Sequence, residues 1–353
     1  MNPAEKTLVI LIPGFPKDEN DSTTVTFPQS FVKNLKRLNP NLNIVVLAFQ
    51  YPFFGGQYQW NGVTVHAFNG KNKGRLNRLL VWISVWKRIK RIMRENHVTG
   101  ILSYWLGECA LLGGYVAKRY GIKSFTWLLG QDAKANNRYI RMIRPTGQSL
   151  IALSDFLSDE LFRNYRIKTA HVIPPGIDRS LFGSFPVARN IDILGAGSLI
   201  PLKQYDQFVR AVAGISKDYP GIRAFICGDG PGRKNLEALI RQLGMEKQIV
   251  LLGELEHEEV LACMQRTRIF LHPSSYEGFG MVCAEALFAG AHVVSFCNPM
   301  HIPFAHQHIV KTGVEMESKL KELLAAENLE QSSVLTFPIE ETCQKILSLF
   351  TPG

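Results

Sequence analysis

The stretch from Leu271 to Gly290, LHPSSYEGFGMVCAEALFAG, combines the end of an apolar strand, a glycine-rich loop and the start of a helix. Parallel sheets place ligands at the carboxyl ends of their strands, where glycines and a helix N-terminus let backbone N–H groups approach a negatively charged group. Glu277 stands in the loop and Glu285 follows about two helical turns later, so the two carboxylates can contact two parts of one elongated ligand. The alternative interpretation is a turn that only caps the helix, with Glu285 solvated.

Apolar runs that are typical of buried strands alternate along the chain with stretches that are typical of helices. The first such run, Thr7–Ile12, ends at a Pro-Gly pair, and a second strand–helix series begins at Ile191. This alternation predicts parallel, doubly wound α/β sheets, and two such series predict two Rossmann-like domains. The break between the series falls in the segment 174–190, so we predict domains at 1–174 and 175–337.

The composition is typical of a soluble globular protein with more residues than one core usually holds. The 353 residues are 46% hydrophobic and 20% charged, and no apolar run has the length that crosses a bilayer. The polar start of the chain predicts that no signal peptide is present. The six cysteines include no C-x-x-C pair, which predicts free thiols in a reducing compartment and neither disulfides nor zinc ligands. We therefore expect a cytoplasmic protein.

Charge is distributed unevenly between the two halves of the chain. Residues 1–175 carry 24 Lys and Arg against 10 Asp and Glu, a net charge of +14, whereas residues 176–353 carry 16 against 20, a net charge of −4. This asymmetry predicts that the first half contacts an anionic partner, such as a membrane surface, a phosphorylated acceptor or nucleic acid.

The segment Lys71–Arg94 concentrates the positive charge, with nine basic residues and no acidic one. Leucine, isoleucine, valine and tryptophan stand between the basic residues, a combination that suits a helix lying on an anionic membrane. The alternative is a domain helix whose apolar stripe faces the sheet and whose charges are solvated. The same apolar residues cannot all serve both roles. Stacking against nucleic acid bases is disfavoured because the chain has no recognised nucleic-acid motif.

Glu277 and Glu285 form an E-x7-E pattern, and an Ala-Gly pair follows it at 289–290. Further motifs stand in order along the chain: LGQD (129–132), VIPPGID (172–178), GAGSLIPLK (195–203), CGDGP (227–231), LGELEHEEV (252–260) and a terminal segment at 337–350. In this order the motifs resemble those of the retaining GT-B glycosyltransferases of family 4. The match is dense over the second half of the chain and sparse over the first.

The resemblance implies a GT-B fold, in which two Rossmann-like domains face a central cleft and the terminal segment 338–353 returns to the N-terminal domain. It implies a catalytic set of three residues. Lys203 would pair with the diphosphate of a nucleotide-sugar, Glu277 would hold sugar hydroxyls near the reacting carbon, and Asp132 would face the donor sugar from the N-terminal domain. The residues implied in donor binding are Gly14, Gln131, Ser198, Gly228, Asp229, Gly230, Gly278, Phe279, Gly280 and Glu285.

The resemblance also implies how the donor is held and how it reacts. Glu285 would bind the ribose hydroxyls, and the turn at 228–230 would line the nucleotide pocket. Members of this family retain the anomeric configuration by a front-face route, in which the leaving phosphate helps to deprotonate the acceptor and the enzyme mainly positions groups and stabilises charge. Glu277 is therefore expected to bind and orient the sugar and not to act as a nucleophile.

The chain departs from the family pattern at three places. Ser198 replaces the Arg of the G-R-L element, so one contact to the diphosphate is weakened or comes from elsewhere. Gln131 replaces the His of the G-H-D element and can hydrogen-bond a sugar hydroxyl without carrying charge. The segment after Ser295 lacks the usual glycine-rich stretch that ends in Glu. These departures leave the identity of the donor open.

Neither a redox cofactor nor a metal is expected. The G-x-G at 195–197 follows a strand, but Ile200 occupies the third glycine position of a dinucleotide fingerprint. His301, His306 and His308 have no zinc-ligand spacing and are interpreted as loop histidines. The resemblance implies that the donor needs no metal, so we expect no cofactor apart from the nucleotide-sugar co-substrate.

The sequence therefore predicts an enzyme, a retaining glycosyltransferase of the hexosyltransferase type. It would move a sugar from a UDP- or GDP-sugar to a glycan or lipid-linked acceptor, in cell-surface polysaccharide or glycolipid biosynthesis. We expect a peripheral position at the inner face of the cytoplasmic membrane. One alternative is a catalytically weak GT-B protein that binds sugar nucleotides. Another is a different GT-B chemistry, a nucleotide-sugar epimerase or a phosphorylase, and a phosphorylase would carry a pyridoxal phosphate lysine.

Overall fold

The apolar run at Thr7–Ile12 forms the centre of a strand that is buried on both faces, as a parallel sheet between two layers of helices requires. The structure is a computed structural model that describes residues 6–184 and 187–351, and every side chain from position 8 to position 12 is fully buried. Residues 185–186, within the predicted break between the domains, lie outside the described residues.

Strands of the N-terminal half form one sheet. They are β1 (Lys6–Gly14), β2 (Asn43–Tyr51), β3 (Gly55–Trp60), β4 (Val63–Phe68), β5 (His97–Tyr104), β6 (Lys123–Leu128), β7 (Leu150–Ala152) and β8 (His171–Val172). Their order in the sheet is β3-β4-β2-β1-β5-β6-β7-β8. All neighbours are parallel except β3 and β4, which form an antiparallel hairpin at one edge. The sequence patterns did not predict β3, whose glycine-rich and polar residues lack the apolar run of a buried strand.

Helices connect these strands. They are α1 (Thr26–Leu38), α2 (Arg75–Glu95), α3 (Glu108–Tyr120), α4 (Arg138–Ile143) and α5 (Asp155–Tyr165). α3 ends at Gly121, which takes the left-handed conformation with φ of 66°. Ser154 caps the start of α5, where its Oγ accepts a hydrogen bond from Leu157 N at 3.2 Å. α1 was not predicted, and Val25 at its N-terminus offers no side-chain cap.

A second sheet and its helices follow in the C-terminal half. The strands are β9 (Ile191–Ala196), β10 (Ala224–Cys227), β11 (Ile249–Gly253), β12 (Thr267–His272), β13 (His292–Ser295) and β14 (Gln307–Ile309). The helices are α6 (Tyr205–Ile215), α7 (Arg233–Gln242), α8 (His257–Gln265), α9 (Met281–Phe288) and α10 (Gly313–Ala325). The strands are all parallel, in the order β11-β10-β9-β12-β13-β14.

This strand order determines where a ligand can bind. The chain starts at β9, moves outward through β10 and β11, and then returns to add β12 on the other side of β9. The order is that of the dinucleotide-binding Rossmann fold, in which ligands occupy the crevice at the carboxyl ends of the two strands where the direction reverses. The loops after β9 and β12 stand at this switch point, and they carry GAGSLIPLK and SSYEGFG.

The chain divides into two units, Met1–Gly176 with Ile339–Gly353 and Ile177–Pro338, named here the N-terminal and the C-terminal unit. The last helix, α11 (Ile339–Phe350), belongs to the N-terminal unit. Its Thr342 Oγ1 donates a hydrogen bond to Pro174 O at 3.0 Å, and the ring of Phe350 packs edge-on against Phe125 at 5.2 Å. The predicted fold class, two Rossmann-like α/β sheets with a returning terminal helix, is confirmed.

Candidate functional site

The loops after β9 and β12 are joined at the switch point by one carbonyl group. Leu202 O, at the end of the first loop, accepts a hydrogen bond from Ser275 N at 3.0 Å and from Ser275 Oγ at 3.1 Å. Ser274 Oγ donates to the same oxygen at 3.3 Å. The next residue after Leu202 is Lys203, and Glu277 follows two residues after Ser275, so these bonds place the two predicted charged residues side by side.

A three-residue cluster of Lys203, Glu277 and His272 results. Lys203 Nζ lies 2.5 Å from Glu277 Oε1, and His272 Nε2 lies 2.8 Å from the same oxygen. His272 is the last residue of β12 and is buried, with 1% of its surface exposed. Among the described residues, Glu277 Oε2 has no hydrogen-bond partner. One carboxylate oxygen is therefore fixed by two donors, while the other is available to a ligand.

The cluster holds Glu277 ionised. Burial alone would raise the pKa of Glu277, but the hydrogen bonds and charges of His272 and Lys203 outweigh it and lower the pKa to about 2. Burial lowers the pKa of His272 even though Glu277 opposes the shift, so the imidazole is neutral at pH 7 and donates its Nε2–H to the carboxylate. An ionised, oriented carboxylate beside an ammonium group can bind hydroxyls and a diphosphate, and it cannot act as a general acid near neutral pH.

Glycines let the loops after β9 and β10 touch. Gly228 has φ of 135°, and a Cβ atom at this position would lie 2.1 Å from Gly197 O. Two backbone hydrogen bonds tie the loops together, from Gly197 N to Cys227 O and from Leu199 N to Asp229 O, both 2.9 Å long. The predicted donor-binding turn at 228–230 therefore lies against the loop that carries Ser198 and Lys203, and a side chain at position 228 would separate the two loops.

The glycine-rich sequence at 278–280 leads directly into α9. Gly280, the N-cap residue, takes the left-handed conformation with φ of 79°, which is unfavourable for other residues. All three residues are buried, and the ring of Phe279 packs against Phe337 at 6.0 Å between centroids. The N-terminus of α9 begins beside Glu277, as the sequence pattern predicted for a loop that presents backbone N–H groups to a ligand.

Glu285 is buried on α9 with 6% of its surface exposed, which contradicts the alternative interpretation in which it is solvated. His257 Nε2 lies 2.9 Å from Glu285 Oε1. Burial lowers the pKa of His257, but the hydrogen bond and charge of Glu285 outweigh burial, so the pKa lies above its ordinary value. The sequence analysis quoted His257 within LGELEHEEV but assigned it no role, because nothing in the local pattern shows which residue of another helix it faces.

The segment after Ser295, which departs from the family pattern, folds onto the loop that carries Glu277. Cys297 Sγ donates a hydrogen bond to Ser274 O at 3.0 Å, and Cys297 N donates to Ser295 Oγ at 3.0 Å. Burial raises the pKa of the Cys297 thiol to about 12, so the group is a neutral hydrogen-bond donor. A thiol thus supports the predicted sugar-binding loop in this chain.

Gly14, Gln131 and Asp132 lie in the N-terminal unit, at the carboxyl ends of β1 and β6. Gly14 packs against β2, where an added Cβ would lie 3.3 Å from the Cβ of Tyr51. Gln131 is exposed, whereas Asp132 is buried with 8% of its surface exposed. The remaining predicted site residues lie in the C-terminal unit, where Ser198 and Asp229 are exposed and Asp229 pairs with Arg233 at 3.5 Å.

Both carboxylate oxygens of Asp132 accept backbone hydrogen bonds. Leu106 N donates to Oδ2 at 2.9 Å, Gly130 N donates to Oδ1 at 2.8 Å, and Leu129 N donates to Oδ1 at 3.2 Å. Burial raises the pKa of Asp132, and these N–H donors only partly oppose the shift. The carboxylate therefore ties the loop after β5 to the loop after β6, a contact that the LGQD motif alone does not reveal.

Histidines at 306 and 308 form a stack with His292. His292 Nδ1 lies 3.0 Å from His308 Nε2, and the rings of His292 and His306 stack at 4.4 Å between centroids. His301 is exposed. Within residues 6–184 and 187–351, no three His, Cys, Asp or Glu side chains are arranged to hold a metal ion.

α2 presents two different apolar faces. One consists of Val81, Val85, Ile89 and Ile92, which are buried in the core of the N-terminal unit. The other consists of Leu76, Leu79, Leu80 and Ile83, which are exposed by 82%, 52%, 62% and 43%. Helical spacing continues this exposed face into Lys87, Arg91 and Arg94, which are also exposed. The sheet-facing residues and the outward-facing apolar residues are therefore different. The core-packing alternative is confirmed for the first group, and the membrane-binding alternative stays a prediction for the second.

Glu108 at the start of α3 holds the first half of α2. It accepts hydrogen bonds from Gln50 Nε2 at 2.5 Å and from Trp82 Nε1 at 2.8 Å, and Arg78 Nε lies 3.7 Å from it. The indole N–H of Trp82 is therefore hydrogen-bonded within the protein and is not available to a bilayer. No helix among the described residues is both long enough and apolar enough to cross a membrane.

Comparison with known proteins finds similarity to glycosyltransferases. Residues 183–337 match the family model described as Glycosyl transferases group 1. The chain is 31% identical over 131 residues to the phosphatidylinositol N-acetylglucosaminyltransferase gpi3 subunit of Schizosaccharomyces pombe, a match that covers 36% of this chain and 29% of that protein. The first curated relatives are matched over only 26% to 33% of their own length.

Solved structures share the fold over almost the whole chain. Sucrose-phosphate synthase from Thermosynechococcus elongatus has a TM-score of 0.72 and 15% identity, and the match covers 98% of this chain and 95% of that one. Anabaena Alr3699/HepE in complex with UDP and glucose has a TM-score of 0.72 and 15% identity, with 96% and 98% covered. These neighbours are GT-B glycosyltransferases, which confirms the predicted GT-B fold class.

Proposed function

We propose that this chain, whose residues 183–337 match the family model of the glycosyl transferases group 1, transfers a sugar from a nucleotide-sugar to a glycan or lipid-linked acceptor with retention of configuration. The observation that carries the proposal is the cluster at the switch point of the C-terminal sheet. There Lys203 and Glu277 are in contact beside the N-terminus of α9, on the edge where a doubly wound sheet binds nucleotides.

Each group of the donor has a partner of suitable chemistry. The ammonium of Lys203 neutralises the diphosphate, the free oxygen of Glu277 accepts hydrogen bonds from sugar hydroxyls, and the N-terminus of α9 adds backbone dipoles near developing negative charge. As the glycosidic C–O bond to the phosphate breaks, the departing phosphate oxygen takes the proton of the acceptor hydroxyl, whose oxygen forms the new bond on the same face. Lys203 stabilises the charge on the leaving diphosphate, and we propose no metal or other cofactor.

N-acetylglucosamine from a UDP-sugar is the donor that we place first. Two comparisons support it: the fission-yeast relative is named as an N-acetylglucosaminyltransferase subunit, and the structural neighbour from Anabaena was solved with UDP. A thermal-shift panel of UDP- and GDP-sugars tests the choice, because a ligand that binds only the folded state raises stability by about 2.7 kcal/mol at a concentration of 100 Kd. We expect UDP-N-acetylglucosamine to raise the Tm more than the GDP-sugars do.

Turnover distinguishes the enzyme from a protein that only binds sugar nucleotides. Donor consumption in the presence of membrane lipid extract, with NMR of the product's anomeric proton, tests transfer and retention together. A Tm increase with no consumption under any acceptor condition would favour the binding protein, whereas no Tm increase with any nucleotide-sugar would contradict the proposal as a whole.

The exposed face of α2 supports a peripheral position on the inner face of the cytoplasmic membrane. Its apolar half, Leu76 to Ile83, and its basic half, Lys87 to Arg94, share one side of the helix. Apolar side chains gain about 25 cal/mol per Å² on leaving water, and each basic residue gains about 1 kcal/mol near an anionic surface. The combination fits an anionic lipid surface, where a lipid-linked acceptor would be found.

Substitutions on this face are expected to separate the two contributions. The double change Leu79→Asn and Leu80→Asn should weaken co-sedimentation with phosphatidylglycerol vesicles at both low and high salt. The double change Lys87→Gln and Arg91→Gln should weaken it about tenfold or more at low salt only, because salt screens exposed charges. The matched control is Val314→Asn, an apolar residue that is 76% exposed on α10. Unchanged binding by both double variants would contradict the assignment of this face.

A further inference from the structure

Glu285 is a carboxylate that the fold buries, with 6% of its surface exposed. It lies on α9 between Cys283, Ala286 and Leu287, all of which belong to the buried core of the C-terminal unit. Burying a charge is costly unless a partner compensates it. Among the described residues, His257 is the one side chain that hydrogen-bonds the Glu285 carboxylate, at 2.9 Å from Oε1. His257 is therefore the side chain that fixes the orientation of the Glu285 carboxylate.

His257 is held in place by the start of α8. Glu256 and Glu259 form a reciprocal capping box, in which Glu256 N donates to Glu259 Oε2 at 3.0 Å and the Glu256 side chain accepts from the backbone of Glu259. His257 is the first residue of the helix, and it follows the carboxyl end of β11 by a short loop. The imidazole thus stands on the ligand-binding edge of the sheet, with 19% of its side chain exposed.

We infer that His257 is a positioning residue of the nucleoside site, which fixes one oxygen of Glu285 so that the other accepts hydrogen bonds from the ribose hydroxyls of the donor; the inference rests on the proposed function. The family resemblance assigns the ribose to Glu285 and assigns nothing to His257. Without His257, the Glu285 carboxylate would lose the hydrogen bond that orients it and could turn away from the ribose, which removes an acceptor. His257 therefore acts on donor binding, whereas Lys203 and Glu277 act on the reacting end.

The pH dependence of donor binding follows from the same pair. Burial lowers the pKa of His257, but Glu285 and, to a smaller extent, Glu258 raise it by more, so the pKa lies above its ordinary value. The imidazolium is present below this pKa and is lost as the pH rises through it, which weakens the hold on Glu285. The donor KM should therefore rise with pH in the unmodified protein and stay flat over the same range in a variant without the imidazole.

Calorimetric titration with UDP and with GDP, followed by steady-state kinetics, tests the inference. His257→Ala should raise the Kd of the preferred nucleotide and the donor KM about tenfold or more while kcat stays within twofold. His257→Gln, which keeps a neutral donor, should recover part of the affinity and show no pH dependence. The control is His97→Gln, an exposed histidine of the N-terminal unit, and urea unfolding establishes that each variant is folded.

Three outcomes separate this inference from the function on which it rests. Binding of the nucleotide by the unmodified protein with an unchanged Kd in folded His257→Ala would overturn the role of His257 and leave the proposed function standing. A fall in kcat as large as the rise in KM would also overturn it, because the residue would then act at the reacting end. Failure of the unmodified protein to bind either nucleotide would overturn both.

Discussion

Glu277→Gln is expected to lower kcat/KM for sugar transfer by about two orders of magnitude or more. Glutamine keeps the shape of the side chain and an oxygen that accepts from His272, but it removes the negative charge that orients Lys203 and holds sugar hydroxyls. Loss of one preorganised electrostatic contact in a partly desolvated site typically costs a factor of about 100 to 1,000 in rate. The measurement is steady-state kinetics with a saturating acceptor, analysed as a change in transition-state free energy.

Stability must be measured beside this rate. The low pKa of Glu277 means that the folded state favours its ionised form by roughly 3 kcal/mol relative to its neutral form. This stabilisation is complete above the ordinary pKa of 4.5 and is lost as the pH falls towards 2, so glutamine should cost up to about 3 kcal/mol at neutral pH. Domains of ordinary stability tolerate such a loss, and activity is compared below the melting transition of the variant.

Two further variants make the Glu277 result interpretable. Glu277→Asp keeps the charge but places it one methylene further from the sugar. This variant should retain more activity than Glu277→Gln and should bind the sugar less well than the unmodified protein. Glu246→Gln removes an exposed carboxylate from the turn after α7 and should change neither rate nor stability. Full activity of folded Glu277→Gln would show that the carboxylate does not contact the reacting sugar and would remove the main support for the site.

The sequence indicated where Lys203, Glu277 and Glu285 stand along the chain, but it did not predict their contacts with one another or with His257 and His272. Leu271–Gly290 indicated a strand, a loop and a helix that carry two carboxylates, and the structure has that arrangement. The partners of the carboxylates come from other elements: Lys203 comes from the loop after β9, and His257 comes from α8. Which loops meet depends on the reversal in strand order between β9 and β12, and local hydrophobic patterns do not contain that information.

For α2 as well, the sequence predicted the residues but not which of them contact the rest of the protein. The sequence of Lys71–Arg94 offered a membrane-binding face and a core-packing face as alternatives, because apolar residues occupy more of the helix than either role needs. Packing on the sheet takes Val81, Val85, Ile89 and Ile92 and leaves a second apolar group outward. A helical pattern predicts that such faces exist, but only the neighbouring sheet determines which one is covered.

Asp132 is the predicted site residue whose structural role is most changed by its contacts. The resemblance implied a group that faces the donor sugar, yet the structure occupies both carboxylate oxygens with the backbone N–H groups of Leu106, Leu129 and Gly130. A side chain that satisfies several buried backbone donors is first of all a link between the loops that supply them. We therefore predict that any effect of Asp132 on catalysis acts through the shape of those loops.

Asp132→Ala should therefore lower the free energy of unfolding by about 3 kcal/mol or more. Each buried N–H that loses its acceptor costs about 1–3 kcal/mol, and the removed carboxylate was itself unfavourable to bury, as its raised pKa shows, which offsets part of that loss. Asp132→Asn should lower the free energy of unfolding by less, because the amide oxygen still accepts a hydrogen bond from Gly130 N. Its NH2 group would face the N–H of another donor and could not accept a hydrogen bond from it. Urea unfolding measures both changes, and Asp159→Ala on the exposed side of α5 is the control.

The two variants also separate a structural from a catalytic role for Asp132. If the carboxylate acts only as a link between loops, Asp132→Asn measured below its melting transition should keep kcat within about tenfold of the unmodified protein. If it contacts the donor sugar, as the family resemblance implied, the same folded variant should lose a factor of about 100 or more. An unchanged free energy of unfolding in Asp132→Ala would contradict the structural account, because three backbone N–H groups, two of them buried, would then have lost their acceptor at no cost.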